Sequence, residues 1–227
     1  MQNKILTKRL KEFKKFNKQF VTHKKDSIKS IHNLRIHCRE LSSLLSPENP
    51  FYTQVKKLIK ASNAIRDMDV FLTVYLPSLP KDYKKQLDIK SIKKSILKKR
   101  KKKVAQLHAY MHSLAPSKSL DIAKKVNKTS DKRDLSPLVL EKKELHKYRI
   151  RIKKQLYKEK NSRPRNKDKI KTLTEIKDLL GTINDNYNGL KTLRRYNLKA
   201  NLYNQIQDFT QEQNEKIFLA VQKITTL

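Results

Sequence analysis

The stretch Ile31-His32-Asn33-Leu34-Arg35-Ile36-His37-Cys38-Arg39 returns later as Leu145-His146-Lys147-Tyr148-Arg149-Ile150-Arg151-Ile152-Lys153. Both copies read His-x-x-Arg-x-x-x-(Arg/Lys). A helix turns about 100° per residue, so positions 0, +3 and +7 fall within about 60° of one another. His32, Arg35 and Arg39 therefore share one face, and His146, Arg149 and Lys153 share another. Next to the first triad runs Ile31, Leu34, Cys38, Leu41 and Leu45; next to the second runs Leu145, Tyr148, Ile152 and Leu156. Apolar residues at this spacing must face a core. Each helix thus buries one stripe and carries cations along its edge. Cations so placed are expected to point into a groove or cavity between helices rather than freely into solvent.

Glycine occurs only as Gly181 and Gly189. A Walker A loop or a dinucleotide fingerprint needs more glycine at fixed spacings, so the usual nucleotide-binding readings fall away. Low glycine and abundant Lys, Leu, Glu, Gln and Ile argue for an all-α fold. Helices are expected over Gln2 to His23, from an Asp26-Ser27 cap to Ser46-Pro47, and from Pro50 to a stop before Pro77 and Pro80. A fourth is expected over Asp82 to Ser113, crossed by the run Lys98 to Lys103. A run of six cations cannot lie on one face, so part of it is solvated. The second half predicts helices over Leu138 to Asn161, Lys169 to Leu193 with a bend near Asn188-Gly189, and Leu198 to Leu227. The segment Ser162 to Arg165 connects the first two of these.

The repeat continues beyond the histidine helices. Ala64-Ile65-Arg66-Asp67-Met68-Asp69-Val70 lies one helix after His32, and Thr182-Ile183-Asn184-Asp185-Asn186-Tyr187-Asn188 lies one helix after His146. Two related halves suggest two helical bundles related by a pseudo-two-fold axis, over residues 1–115 and 137–227 with a linker at 116–136.

Lys and Arg number 55 against 21 Asp and Glu, a formal net charge of +34. Self-repulsion at that level opposes compaction, and a polyanion would relieve it. Nucleic acid, an acidic membrane surface and an inorganic phosphate polymer are the candidates. The single cysteine, Cys38, excludes an intramolecular disulfide and a cysteine-rich zinc site. No segment approaches the ~18 consecutive apolar residues of a membrane span, and the N-terminal stretch does not resemble a signal peptide. A soluble, cytoplasmic protein is expected.

Four pieces in order resemble the CHAD family, an α-helical domain named for its histidines. They are His32-Asn33-Leu34-Arg35 with Arg39; Arg66-Asp67-Met68-Asp69-Val70; Leu145-His146-Lys147-Tyr148-Arg149-Ile150 with Lys153, Lys154 and Tyr157; and Leu179-Leu180-Gly181-Thr182-Ile183-Asn184-Asp185. Each piece alone is weak; their order and spacing cover nearly the whole chain. The resemblance implies two antiparallel four-helix bundles enclosing a basic cavity. It implies binding of inorganic polyphosphate, sometimes with recruitment to polyphosphate granules. The binding is expected to be non-catalytic and to need no cofactor. Glu40, Ser42 and Leu156 stand where the family often carries further arginines, which makes the cavity less basic at those spots.

A phosphate polymer needs cations and donors in register. Arginine offers a planar fork, lysine a mobile point charge, and histidine a donor that a neighbouring polyanion turns into an imidazolium. Binding is therefore expected to strengthen as pH falls and to weaken steeply with salt. The candidate binding residues are His32, Arg35, Arg39, Lys60, Arg66, His146, Arg149, Lys153 and Lys154, with Lys56, Lys57 and Lys177 as further lysines. Asp67, Asp69 and Asp185 are read as structural partners of basic groups. Residues two apart on a helix do not face each other, so Asp67 and Asp69 are not expected to share a metal. The alternatives are a general helical nucleic-acid binder, held through phosphates without base readout, and a phosphohydrolase. The sequence shows no base-stacking aromatic platform and no adjacent His-Asp pair for catalysis.

Overall fold

The computed structural model describes residues 2–22, 27–113, 139–161 and 164–225. The expected linker at 116–136 lies outside them, as do Asp26, Leu138 and Ser162-Arg163. Among the described residues all regular secondary structure is helical, with no strand, and no helix is long and apolar enough to cross a membrane.

The chain forms two compact units, Met1–Asp69 with Lys90–Asp131 and Val70–Ile89 with Lys132–Leu227. The first half is therefore not a continuous unit, because residues 70–89 group with the second.

The first unit is built from α1 (Gln2–Thr22), α2 (Ile28–Leu44), α3 (Pro50–Val70) and most of a later helix, α6 (Ile89–His112). The side-chain oxygen of Ser27 accepts from the backbone N–H of Ser30 at 3.1 Å and fixes where α2 starts. From that start Ile31, Leu34, Cys38 and Leu41 fall on the buried face. They meet Leu10, Phe13 and Phe20 of α1, Val55, Leu58 and Ile65 of α3, and Val104, Leu107 and Met111 of α6. Each such side chain contributes roughly 1.5–3 kcal/mol by leaving water. Phe13 packs edge-on to Phe51 at 5.8 Å, and His108 stacks on Phe20 at 4.5 Å.

The second unit contains a π-helical segment (Phe71–Tyr75), the short helices α4 (Leu76–Ser78) and α5 (Lys81–Gln86), and then α7 (Lys142–Asn161), α8 (Lys167–Leu193) and α9 (Ala200–Thr225). Leu145, Tyr148, Ile152 and Leu156 of α7 pack with Leu173, Ile176, Leu180 and Ile183 of α8 and Phe218 and Val221 of α9.

Helix limits differ from the sequence expectation in several places: α7 begins at Lys142 and not at Leu138, and α9 at Ala200 and not at Leu198. Helical structure does not stop before Pro77 but runs to Ser78. The π turn accounts for this. The Leu76 N–H reaches back to the Phe71 carbonyl, and the widened turn lets the chain pass a proline that cannot donate. The helix expected from Asp82 is two helices, interrupted where buried Leu87 takes an extended conformation, φ −92° and ψ 134°. Finally, α8 is unbroken through Asn188-Gly189. The ring of Tyr75 lies where a β-carbon on residue 189 would sit, so this glycine serves a close approach and not a bend.

Candidate functional site

In the first unit the histidine triad sits on α2, positioned by the Ser27 cap. His32 is exposed and Arg39 is half-buried, but Arg35 is only 4% exposed. Its Nη1 donates to the Ile59 carbonyl at 3.3 Å, Ser62 Oγ at 3.0 Å and Asn63 Oδ1 at 2.7 Å, all on α3. Arg35 therefore ties α2 to α3 as well as bringing charge to this edge. Burial, and then the nearby positive charges of Arg39 and Arg66, lower its pKa to about 10 against the pull of Asp67. The fold thus gathers Arg35, Arg39 and Arg66 at short electrostatic range.

Around this cluster, Arg66 is half-buried with its Nη1 3.6 Å from Asp67 Oδ1. Lys60 and Lys57 are exposed, and Lys56 lies 5.2 Å over the Tyr52 ring. Asp69 is buried and accepts from Arg100 Nε at 2.5 Å. It thus holds a basic residue, and its partner comes from the lysine-rich run of α6. Cys38 is buried beside Arg35, and desolvation pushes its thiol up to about 12.

In the second unit α7 presents the equivalent triad. His146 and Lys154 are exposed, while Arg149 and Lys153 are half-buried. Arg149 crosses onto α8, where a β-carbon added to Gly181 would stand 3.1 Å from its Nη2. In the repeat alignment Gly181 corresponds to Asn63, the closest acceptor of Arg35. Each triad arginine thus reaches the same position of the following helix, meeting an amide in one unit and an open backbone in the other.

His146 and Arg149 line a small pocket together with Lys142, Asn184 and Tyr187, over a floor of Leu145, Leu180 and Ile183. Lys142 Nζ lies 5.3 Å over the Tyr187 ring, within cation–π range. Asp185 is half-buried and accepts from Asn184 Nδ2 at 3.4 Å. Lys177 pairs with Asp178 at 2.8 Å.

Sequence reasoning missed Lys142, Asn184 and Tyr187 in this pocket, and Arg100 as the partner of Asp69. Lys142 was within reach of the spacing rule, because it precedes His146 by four residues and shares its face. Asn184 occupies the repeat position of Arg66. Among the described residues no three His, Cys, Asp or Glu side chains gather where they could hold a metal. Neither a family model, nor a curated protein, nor a solved structure matches this chain.

Proposed function

We propose that this protein is a non-catalytic binder of inorganic polyphosphate, gripping the phosphate chain through the cations of α2–α3 and of α7–α8. The observation that carries this reading is the gathering of Arg39 and Arg66 around the buried Arg35, whose pKa is lowered first by burial and then by these two neighbouring charges. Asp67 and the Cys38 thiol oppose this shift without cancelling it. Like charges held together in partial burial favour an anionic ligand that satisfies several at once.

The recurrence of the triad on α7 supports a ligand longer than one phosphate, as does the net charge of +34. Guanidinium forks and mobile ammonium groups suit a polymer with charge on every unit and no bases to read. The carboxylates near the first triad serve basic groups, Asp69 on Arg100 and Asp67 against Arg66, which suits binding better than phosphoryl transfer. The pseudo-symmetric pair of bundles, the enclosed basic cavity, the cytoplasmic setting and recruitment to polyphosphate granules belong to this proposal through the CHAD resemblance.

The test is a titration with polyphosphates of graded length, on wild type and on a variant with His32→Ala, Arg39→Ala, His146→Ala and Arg149→Ala. Affinity is expected to rise with chain length, and the variant to lose at least about tenfold, since each charged hydrogen bond is worth roughly 1.5–3 kcal/mol. Unchanged affinity in the variant would overturn the proposal. So would phosphate release from the polymer in the presence of Mg²⁺ or Mn²⁺.

A further inference from the structure

We infer that the outer face of α6 is a second polyanion surface, separate from the histidine helices, that takes the phosphate backbone of double-stranded nucleic acid.

No Asp or Glu occurs in α6 from Ile89 to His112. Its buried side is Ile92, Ile96, Val104, Leu107 and Met111. Opposite that side, at about 100° per residue, Lys90, Lys94, Lys98, Lys101 and Lys102 fall within an arc of about 120°. All five are exposed. No ion pair among the described residues involves any of them. The neighbouring Arg100 differs, because it is held by Asp69. Neighbouring lysines three or four apart on a helix repel and destabilise it, so an acid-free stripe of five is poor design for the helix alone. It suits a linear anion lying along it.

From Lys90 to Lys102 the stripe is about 18 Å long at 1.5 Å per residue. A duplex carries one charge per about 1.7 Å of axis, so roughly ten phosphates lie within that length. Single-stranded nucleic acid is held by cations together with aromatic platforms on which the bases stack. The exposed face of α6 has no aromatic residue, so it suits a duplex, whose bases are already stacked inside. An anionic membrane would call for an apolar face beside the lysines. Leu97, Ala105 and Ala109 are the exposed apolar residues here, which is too little to insert.

The experiment uses the full chain with a labelled duplex DNA of about 20 base pairs and, separately, long-chain polyphosphate, over a range of salt. Three proteins are compared: wild type; a variant carrying Lys90→Gln, Lys94→Gln, Lys98→Gln, Lys101→Gln and Lys102→Gln; and a control of equal net charge carrying Lys14→Gln, Lys18→Gln, Lys171→Gln, Lys191→Gln and Lys199→Gln. All ten positions are exposed, and helicity by circular dichroism checks each fold. The α6 variant is expected to lose more than about tenfold in duplex affinity near 0.1 M salt. Its slope of log affinity against log salt should be shallower by about 4, since each lost phosphate contact removes about 0.9. The control, and polyphosphate binding by the α6 variant, should change less than threefold. Equal losses of duplex affinity in the variant and the control would overturn the inference, because net charge would then be sufficient. So would a tenfold loss of polyphosphate affinity in the α6 variant, or binding to anionic-lipid vesicles that depends on these lysines while duplex binding does not. Failure of polyphosphate binding with the duplex result intact would refute the preceding reading and leave this one standing.

Discussion

The aromatic ring of Tyr75 occupies the space that a side chain at position 189 would fill. Gly189 lies inside α8, and the Tyr75 hydroxyl pairs with Thr210 Oγ1 of α9 at 3.1 Å. One tyrosine thus joins the π-helical segment to two helices of its unit. Gly189→Ala is expected to destabilise the protein by about 1–3 kcal/mol, the usual range for overpacking a core. In a Tyr75→Ala background the same change should be close to neutral. A double-mutant cycle by urea denaturation measures the coupling, and additive losses would refute the contact.

Removing Asp69 should be costly. Asp69 is 4% exposed in its side chain and Arg100 is 13% exposed, so Asp69→Ala takes a carboxylate away from a largely buried guanidinium. A loss of about 3 kcal/mol is expected. Replacing both partners together, with Asp69→Leu and Arg100→Met, should recover most of it. Chemical denaturation of the three variants checks this.

Gly181→Ala separates stability from binding. The nearest atom to the added methyl is Nη2 of Arg149, at the end of a flexible side chain. The helix gains about 0.5–1 kcal/mol from losing a glycine, while Arg149 is pushed off its position. We expect a melting temperature that is unchanged or raised, together with a severalfold drop in polyphosphate affinity. An unchanged affinity would mean that the position of Arg149 is unimportant for the ligand.

Stability should fall as pH rises above 9. Burial lifts the Cys38 thiol from 9.0 to about 12 in the folded protein. Between pH 9 and 10 the unfolded thiol has lost its proton and the folded thiol has kept it. The unfolded state then binds fewer protons, and stability declines with pH. Tyr75, also raised to about 12 by burial, extends the decline from pH 10. Arg35 acts in the opposite sense above about 10, because its folded pKa lies below its ordinary 12.5. Urea midpoints at pH 8 and pH 10 should therefore fall further for wild type than for Cys38→Ala. Equal falls would count against the buried thiol.

Local rules read much of this molecule correctly. Ser27 and Pro50 open α2 and α3 where capping chemistry places them, and the 3-4 stripes of α2 and α7 are buried. What escaped the sequence depends on partners distant in the chain. Pro77 looked like a stop because a single helix cannot reveal that its turn will widen at Phe71. Gly189 looked like a bend because Tyr75 lies 114 positions earlier. Arg35 belongs to the same helical face as His32, yet one is buried and the other exposed. The difference comes from Ser62, Asn63 and the Ile59 carbonyl on α3, which give a guanidinium somewhere to go. The pairing of Asp69 with Arg100 joins residues 31 apart, beyond the reach of helical periodicity.

The arginines crowded beside α2 have a consequence for the empty protein. Their mutual repulsion is carried by the folded state at all times, not only when a ligand arrives. Any anion that settles there relaxes a tension already present, and does so without first prying an acid away from Arg35. Occupancy should therefore show itself as resistance to heat, climbing with ligand concentration.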